Sequence, residues 1–346
     1  MKRTVVSCIL FVVVSIITYS QNSNVVNTIN DRMKLQSQIE RGNMDALNML
    51  GVSYLQKAPK DYQKAFDLFQ RAYKSGVDNA TFNLGHCYFH GYGVPKDYRM
   101  ALKLFLEDGG KTCGSLFYIG VIYFHGYGVN ADYDKAFDYL QKAKACGQTN
   151  ADEFIALCYA EGKGVDKDEE RALSILLPLA NKNDVNAQFG VANIYRNQGN
   201  NERALYWYGK IATQFSTASV LMGDIYKSEN NIGLAKQYYR KASDYGVAIG
   251  EYKLGEIIYD EAMKLERNGW KSDAEKLYSE AFHLFKDASE DSFTPVPGAM
   301  RLLQACYRYG RGTEQNAELA DKWKNEALKH KDLQTIELLK IEINNK

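Results

Sequence analysis

The chain has 346 residues, with 43 lysines and arginines against 42 aspartates and glutamates, a formal net charge of +1. That balance leaves no electrostatic footprint for nucleic acid or for a strongly acidic surface, and no nucleic-acid partner is expected. Five prolines and 25 tyrosines suit helices packed through aromatic side chains.

Taken in order, the chain opens on Lys2 and Arg3, continues with an apolar run of thirteen residues from Val5 to Ile17, and then reads Thr18-Tyr19-Ser20-Gln21. This is the layout of a secretory signal peptide over residues 1–20, with cleavage after Ser20. The run is shorter than the ~20 residues that a membrane span needs. Export to the periplasm, the cell surface or the medium is the expectation, with the membrane touched only through that transient segment. Residues 21–44 read as a linker and capping helix, with Val26, Ile29, Met33, Leu35 and Ile39 scattered among polar residues.

From residue 45 the sequence repeats itself. Tyr88-Phe89-His90-Gly91-Tyr92-Gly93-Val94 returns as Tyr123-Phe124-His125-Gly126-Tyr127-Gly128-Val129. Weaker copies place register tyrosines at Tyr54, Tyr88, Tyr123, Tyr159, Tyr195, Tyr226, Tyr259 and Tyr307. Three residues before most of them stands a small residue (Gly51, Gly85, Gly120, Ala156, Ala192, Gly223), which lets two helices approach closely. In the seventh copy the glycine, Gly255, falls one place early. Behind the first helix comes a glycine turn, as in Gly91-Tyr92-Gly93, Gly126-Tyr127-Gly128, Gly162-Lys163-Gly164 and Gly310-Arg311-Gly312. An Asp then opens the second helix (Asp61, Asp97, Asp132, Asp168), which carries a Lys/Arg-Ala-apolar signature such as Lys64-Ala65-Phe66 and Arg171-Ala172-Leu173. The fifth and sixth copies lose the glycine turn. The seventh has an enlarged connection through Arg267-Asn268-Gly269-Trp270, and Ser292 to Gly298 lengthens the gap before the eighth. Residues 333–346 hold Leu333, Ile336, Leu338, Leu339 and Ile341 among charges and read as a second capping helix.

In this register Ala80, Leu84, Gly85, Tyr88, Gly91, Gly93, Val94 and Asp97 closely resemble the Sel-1-like repeat, a relative of the tetratricopeptide repeat. The resemblance runs over residues 45–332. It implies an all-α fold, a right-handed α-solenoid of about eight helix-turn-helix repeats between terminal capping helices. It also implies a scaffold that holds a protein or peptide on its concave face, and not an enzyme. Carried onto this register, the outward positions of the first helices are Asn79, Phe82, His86, Phe89 and His90 in the second repeat. The third repeat gives Phe117, Val121, Phe124 and His125, and the fifth gives Asn186, Phe189, Asn193 and Arg196. Members of the family have been linked to cell-wall-related compounds. A small-molecule binder with weak hydrolase activity and a purely structural envelope protein are therefore the alternative readings.

Patterns that carry chemistry are scarce. No Ser/His/Asp set, zinc-binding helix or phosphate loop is present, so no catalytic residue and no cofactor is assigned. His86, Cys87 and His90 invite a metal reading, but no acidic ligand recurs with them and no metal is assigned. Cys87, Cys158 and Cys306 precede the register tyrosine in a slot that holds Ile122, Ile194, Ile225 and Ile258 elsewhere, the pattern of a buried small hydrophobe. Cys113 and Cys146 begin and end one hairpin. A disulfide and two free thiols both stay open there, the deciding quantity being a Cα separation within ~4.4–6.8 Å. The phenylalanines Phe82, Phe89, Phe117 and Phe124, flanked by His86, His90 and His125, form the aromatic patch on which a peptide or helix would rest, or else fill contacts between repeats.

Overall fold

The computed structural model describes residues 27–291 and 295–330. The expected signal peptide, residues 292–294 and the expected C-terminal helix lie outside the described residues. Among the described residues there are seventeen helices and no strand. A first helix over 27–40 (α1) is followed by α2 (Asp45–Gln56), α3 (Tyr62–Lys74), α4 (Ala80–His90), α5 (Tyr98–Glu107), α6 (Cys113–His125), α7 (Tyr133–Ala145), α8 (Ala151–Glu161) and α9 (Glu169–Ala180). Then come α10 (Val185–Asn197), α11 (Asn201–Ile211), α12 (Ser216–Ser228), α13 (Ile232–Asp244), α14 (Ala248–Arg267), α15 (Lys271–Glu290), α16 (Pro297–Tyr309) and α17 (Ala317–Lys329). The chain divides into two compact units, Met1–Ile175 and Leu176–Lys346. No described helix is long and apolar enough to cross a membrane.

In the first unit the repeat residues act as joints. The side chains of Asp61, Asp97, Asp132 and Asp168 accept hydrogen bonds from the backbone N–H groups of Lys64, Met100, Lys135 and Arg171. Each cap satisfies an orphan donor and is worth about 1 kcal/mol. Within a hairpin the small residue faces a ring: a Cβ on Gly51 would stand 2.6 Å from Phe69, and one on Gly85 would stand 2.8 Å from Phe105. The Lys/Arg-Ala signature also resolves physically. The alanine is buried (Ala65, Ala136 and Ala172 at 0 %). The cation lies over the register tyrosine, with Lys64 5.5 Å from the Tyr54 centroid, Lys135 5.2 Å from Tyr123 and Arg171 4.5 Å from Tyr159.

The two glycines of the turn have different tasks. Gly91 ends α4 in the left-handed conformation (φ 78°) and donates to the Cys87 carbonyl at 2.8 Å. Gly93 (φ 70°) docks on the preceding repeat. A Cβ there would overlap the Tyr62 carbonyl, 2.7 Å from its carbon, and stand 2.8 Å from Gln63 Cα. Gly164 meets the Tyr133 carbonyl in the same way. At the start of the array, Arg32 of α1 is 6 % exposed. It donates to Ser53 Oγ and to the carbonyls of Ser53, Lys57 and Pro59, at 2.7–3.0 Å. Its guanidinium also lies 4.0 Å from the Tyr54 ring centroid. A single buried arginine thus satisfies the open end of α2. Cys113 and Cys146 are joined as a disulfide with their Cα atoms 5.5 Å apart.

The second unit uses more polar joints. Its turns at 198–200 and 229–231 are short, and Asn200, Asn231 and Asn316 replace the capping aspartates, accepting from Arg203, Leu234 and Leu319. In the fifth and sixth hairpins the buried ring of the second helix is tyrosine. Tyr208 donates to Asn193 Oδ1 at 2.5 Å, and Tyr239 donates to Asp224 Oδ1 at 2.6 Å. The seventh hairpin departs from the expected enlarged connection: the extra residues lengthen both helices, so α14 and α15 have 20 residues each. Gly255 faces Phe285, with a Cβ placed 2.6 Å away, as Gly85 faces Phe105. The glycine therefore keeps the register. Counting from it, the fully buried Ile258 takes the tyrosine position and Tyr259 lies one beyond.

Candidate functional site

The doubled heptapeptide builds the same object twice. Tyr92 stacks on Tyr62 (centroids 4.8 Å, interplanar 20°) and on His90 (5.2 Å, 17°). One repeat later Tyr127 stacks on Tyr98 (4.7 Å, 19°) and on His125 (4.8 Å, 19°). In the third copy the tyrosine is Lys163 and the histidine is Glu161. Lys163 lies 5.0 Å from the Tyr133 centroid and pairs with Glu161 at 2.6 Å. The aromatic stack gives way there to a cation–π contact and an ion pair.

Between the two stacks lies a cluster centred on Tyr118, a residue with no recurring signature in the sequence. Its ring is within 4.8–6.2 Å of Phe82, His86, Phe89, His90 and Phe105. Its hydroxyl is 3.1 Å from His90 Nε2. His86 and His90 are one turn apart on α4, with centroids 4.4 Å apart. Burial lowers the His86 pKa to about 4, with the neighbouring His90 adding to the effect. Burial also lowers His90, helped by Lys96, and lowers His125, helped by Lys163. At neutral pH the cluster is an uncharged surface of rings with imidazole and hydroxyl tips. Among the described residues no group of three His, Cys, Asp or Glu side chains is placed to hold a metal.

The other positions named from the sequence separate by environment. Phe82 is half-buried and presses on the next repeat, where a Cβ on Gly114 would stand 2.6 Å from its ring. Phe89 lies edge-on to Tyr98 of its own hairpin at 5.3 Å and meets Tyr118 across the seam to the next repeat at 4.8 Å. Phe117 and Phe124 both touch Phe154, at 5.7 and 5.5 Å. Phe124 is only 8 % exposed, so its ring is a packing element first. His125 and Asn79 are exposed, the latter in a left-handed conformation (φ 61°) at the start of α4. In the second unit Asn186 is exposed and Arg196 half-buried, while the Asn193 side chain is engaged by Tyr208. The cluster thus gathers Phe82, His86, Phe89 and His90 around Tyr118. It leaves Asn186, Asn193 and Arg196 as separate positions on α10. Cys87, Cys158 and Cys306 are free and buried, and burial pushes each thiol up to about 12, which makes them inert.

Comparison with known proteins places this geometry. Seven segments match the family model described as Sel1 repeat: residues 45–77, 78–107, 114–148, 151–184, 185–214, 218–246 and 298–323. The long hairpin α14–α15 lies between the last two. The crystal structure of a Sel1 repeat protein from Oxalobacter formigenes superposes with a TM-score of 0.62 at 22 % identity, covering 89 % of this chain and 90 % of that one. DAP3-binding cell death enhancer 1 of Mus musculus is 29 % identical over 151 residues, 43 % of this chain and 29 % of that protein. The ERAD-associated E3 ubiquitin-protein ligase component HRD3 of Candida glabrata is 38 % identical over 66 residues, 19 % of this chain and 8 % of that protein. The chain spans less than a third of the length of these curated relatives.

Proposed function

The chain belongs to the Sel1 repeat family, and on that premise we propose that it is an exported, non-enzymatic scaffold that binds a protein or peptide on the face formed by its first helices. The observation that carries this reading is the neutral ring cluster of the first unit. His86, His90 and Tyr118 are held in place by packing from below and keep part of their surface in solvent. Rigid aromatic side chains lose little freedom on binding, which is why such residues anchor interfaces. Both curated relatives carry names that describe association with other proteins. The basic-then-apolar layout of residues 1–20 supports export.

The test is capture by the full chain and its variants from cell extract, with each variant's fold checked by circular dichroism. His86→Ala with Phe89→Ala should release a partner that the wild-type chain retains. Tyr206→Ala, at a 58 % exposed tyrosine of the second unit, should keep it. Retention by the double variant at wild-type level rejects the mapped face.

A further inference from the structure

The disulfide carries chemistry that the interaction reading does not use. Cys113 is the first residue of α6, and Cys146 is the C-cap of α7. Cys146 is the more exposed residue of the pair and Cys113 is half-buried, which favours approach of a thiolate from the Cys146 side. The sulfur that then departs is Cys113, in the first turn of α6, where the helix dipole favours a developing negative charge, and 2.9 Å from the Cys146 carbonyl oxygen, to which the departing thiol can donate once protonated. Attack from the other side would push the charge onto the negative end of α7. A better-stabilised leaving thiolate leaves faster, so the exchange has a built-in direction. The buried thiols of Cys87, Cys158 and Cys306 lie in other helices and are protonated, so they do not compete.

The hairpin does not need this bond to form. The pairs α2–α3 and α4–α5 follow the same residue pattern without one. The pair α6–α7 also has its own caps, the Thr112 side chain accepting from Ser115 N–H and Asp132 from Lys135 N–H. What the bond adds is local. It pins the first turn of α6, where Gly114 lies against Phe82 and where Phe117 and Tyr118 follow.

We propose that Cys113–Cys146 is a reductant-addressable clasp that ties the start of α6 to the end of α7, next to the seam where Gly114 meets Phe82 of α4, and that its co-reactant is a dithiol. One thiolate of the dithiol attacks Cys146 Sγ. The S–S bond breaks, its electron pair leaves on Cys113 Sγ, and that sulfur takes a proton. The second thiol then attacks the mixed disulfide, closing the reagent's own disulfide and releasing Cys146 as a thiol. Two electrons and two protons pass from dithiol to protein. Release of α6 loosens the Tyr118 cluster. The consequence for partner binding rests on the function proposed above, whereas the chemistry and the loosening do not.

Two measurements on the folded full chain test the clasp without any partner. In the first, a short pulse of glutathione is followed by acid quench, alkylation and peptide mapping. The mixed disulfide should sit on Cys146 at least tenfold more often than on Cys113; equal labelling, or preference for Cys113, overturns the direction of attack. In the second, hydrogen exchange compares the oxidised chain with the chain reduced by dithiothreitol. Amides of residues 117–122 should exchange about tenfold faster after reduction, while those of α12 and α13 stay unchanged. Cys113→Ser with Cys146→Ser should match the reduced chain and ignore the reductant. A bond that resists dithiothreitol until the chain unfolds, or reduction with unchanged exchange in α6, overturns the proposal. Capture by the His86→Ala, Phe89→Ala chain tests the binding face separately.

Discussion

Replacing Gly93 by alanine separates what a glycine turn needs from what repeat docking needs, because Gly76 supplies a matched control. The two residues have nearly the same backbone angle, φ 70° and φ 71°. A Cβ on Gly76 meets nothing within 4 Å, whereas one on Gly93 overlaps the Tyr62 carbonyl and stands 2.7 Å from its carbon. The left-handed conformation costs an alanine about 1–2 kcal/mol in either place. At Gly93 the opposing atoms are backbone and cannot rotate aside. Reaching ordinary contact at 3.4 Å therefore requires the turn to retreat by at least about 0.7 Å, which parts the seam between the first two repeats. The Tyr62–Tyr92 stack at 4.8 Å and the Phe66–Tyr88 edge contact at 5.5 Å lie on that seam. Weakening both adds about 1–3 kcal/mol. Urea unfolding of the full chain should give about 1–2 kcal/mol for Gly76→Ala and about 2–5 kcal/mol for Gly93→Ala, a difference of about 1–3 kcal/mol. Equal losses, within about 0.5 kcal/mol, would refute docking as the role of the second glycine.

Three further outcomes follow from the same geometry. Tyr239→Phe removes the hydrogen bond to Asp224 and should cost about 1.5–3 kcal/mol, the range for a bond to a charged partner; a loss below about 0.5 kcal/mol by chemical denaturation would show that Lys253, 2.7 Å from the same carboxylate, satisfies it alone. Because the folded His86 pKa lies near 4 against an ordinary 6.5, the unfolded chain takes up this proton first as pH falls. The contribution is full above about pH 6.5 and drains away toward pH 4, with a ceiling of about 3 kcal/mol that partial exposure reduces. His86→Asn should flatten the stability–pH curve relative to wild type in that window, and parallel curves would refute the assignment. Removing the disulfide, whose cysteines are 33 residues apart, should lower stability by at most about 4 kcal/mol in the chain-entropy account, measured as the difference between oxidised and dithiothreitol-treated chains in urea.

The scaffold was legible because its joints require particular residues. A left-handed turn wants glycine, a helix start wants Asp or Asn, and a close helix crossing wants no side chain. These demands recur at fixed spacing and so leave a periodic record. The cluster was less legible because position alone decides it. Tyr118 stands two residues before Gly120, in a column that holds Asn83 and Phe154 in the neighbouring repeats, so no pattern marks it. Phe124 reads as a surface ring by its register, yet Phe154 of the next repeat covers it. Asn193 reads as a contact residue, but Tyr208 claims it, since a buried hydroxyl needs a partner. The seventh hairpin misled for a related reason. Its additional residues are charged and amphipathic and contain no helix breaker until Asn268-Gly269, so they extend the helices on either side of that turn.

The five histidines provide the most direct test of the binding face. His86, His90 and His125 belong to the first unit, and His283 and His330 to the second. Imidazole proton resonances, assigned by single substitution, can be followed while the captured partner is titrated into the full chain. The account predicts that the His86 and His90 signals shift and saturate together with binding while those of His283 and His330 hold still. Movement confined to His283 and His330, with His86 and His90 silent at saturation, would contradict it.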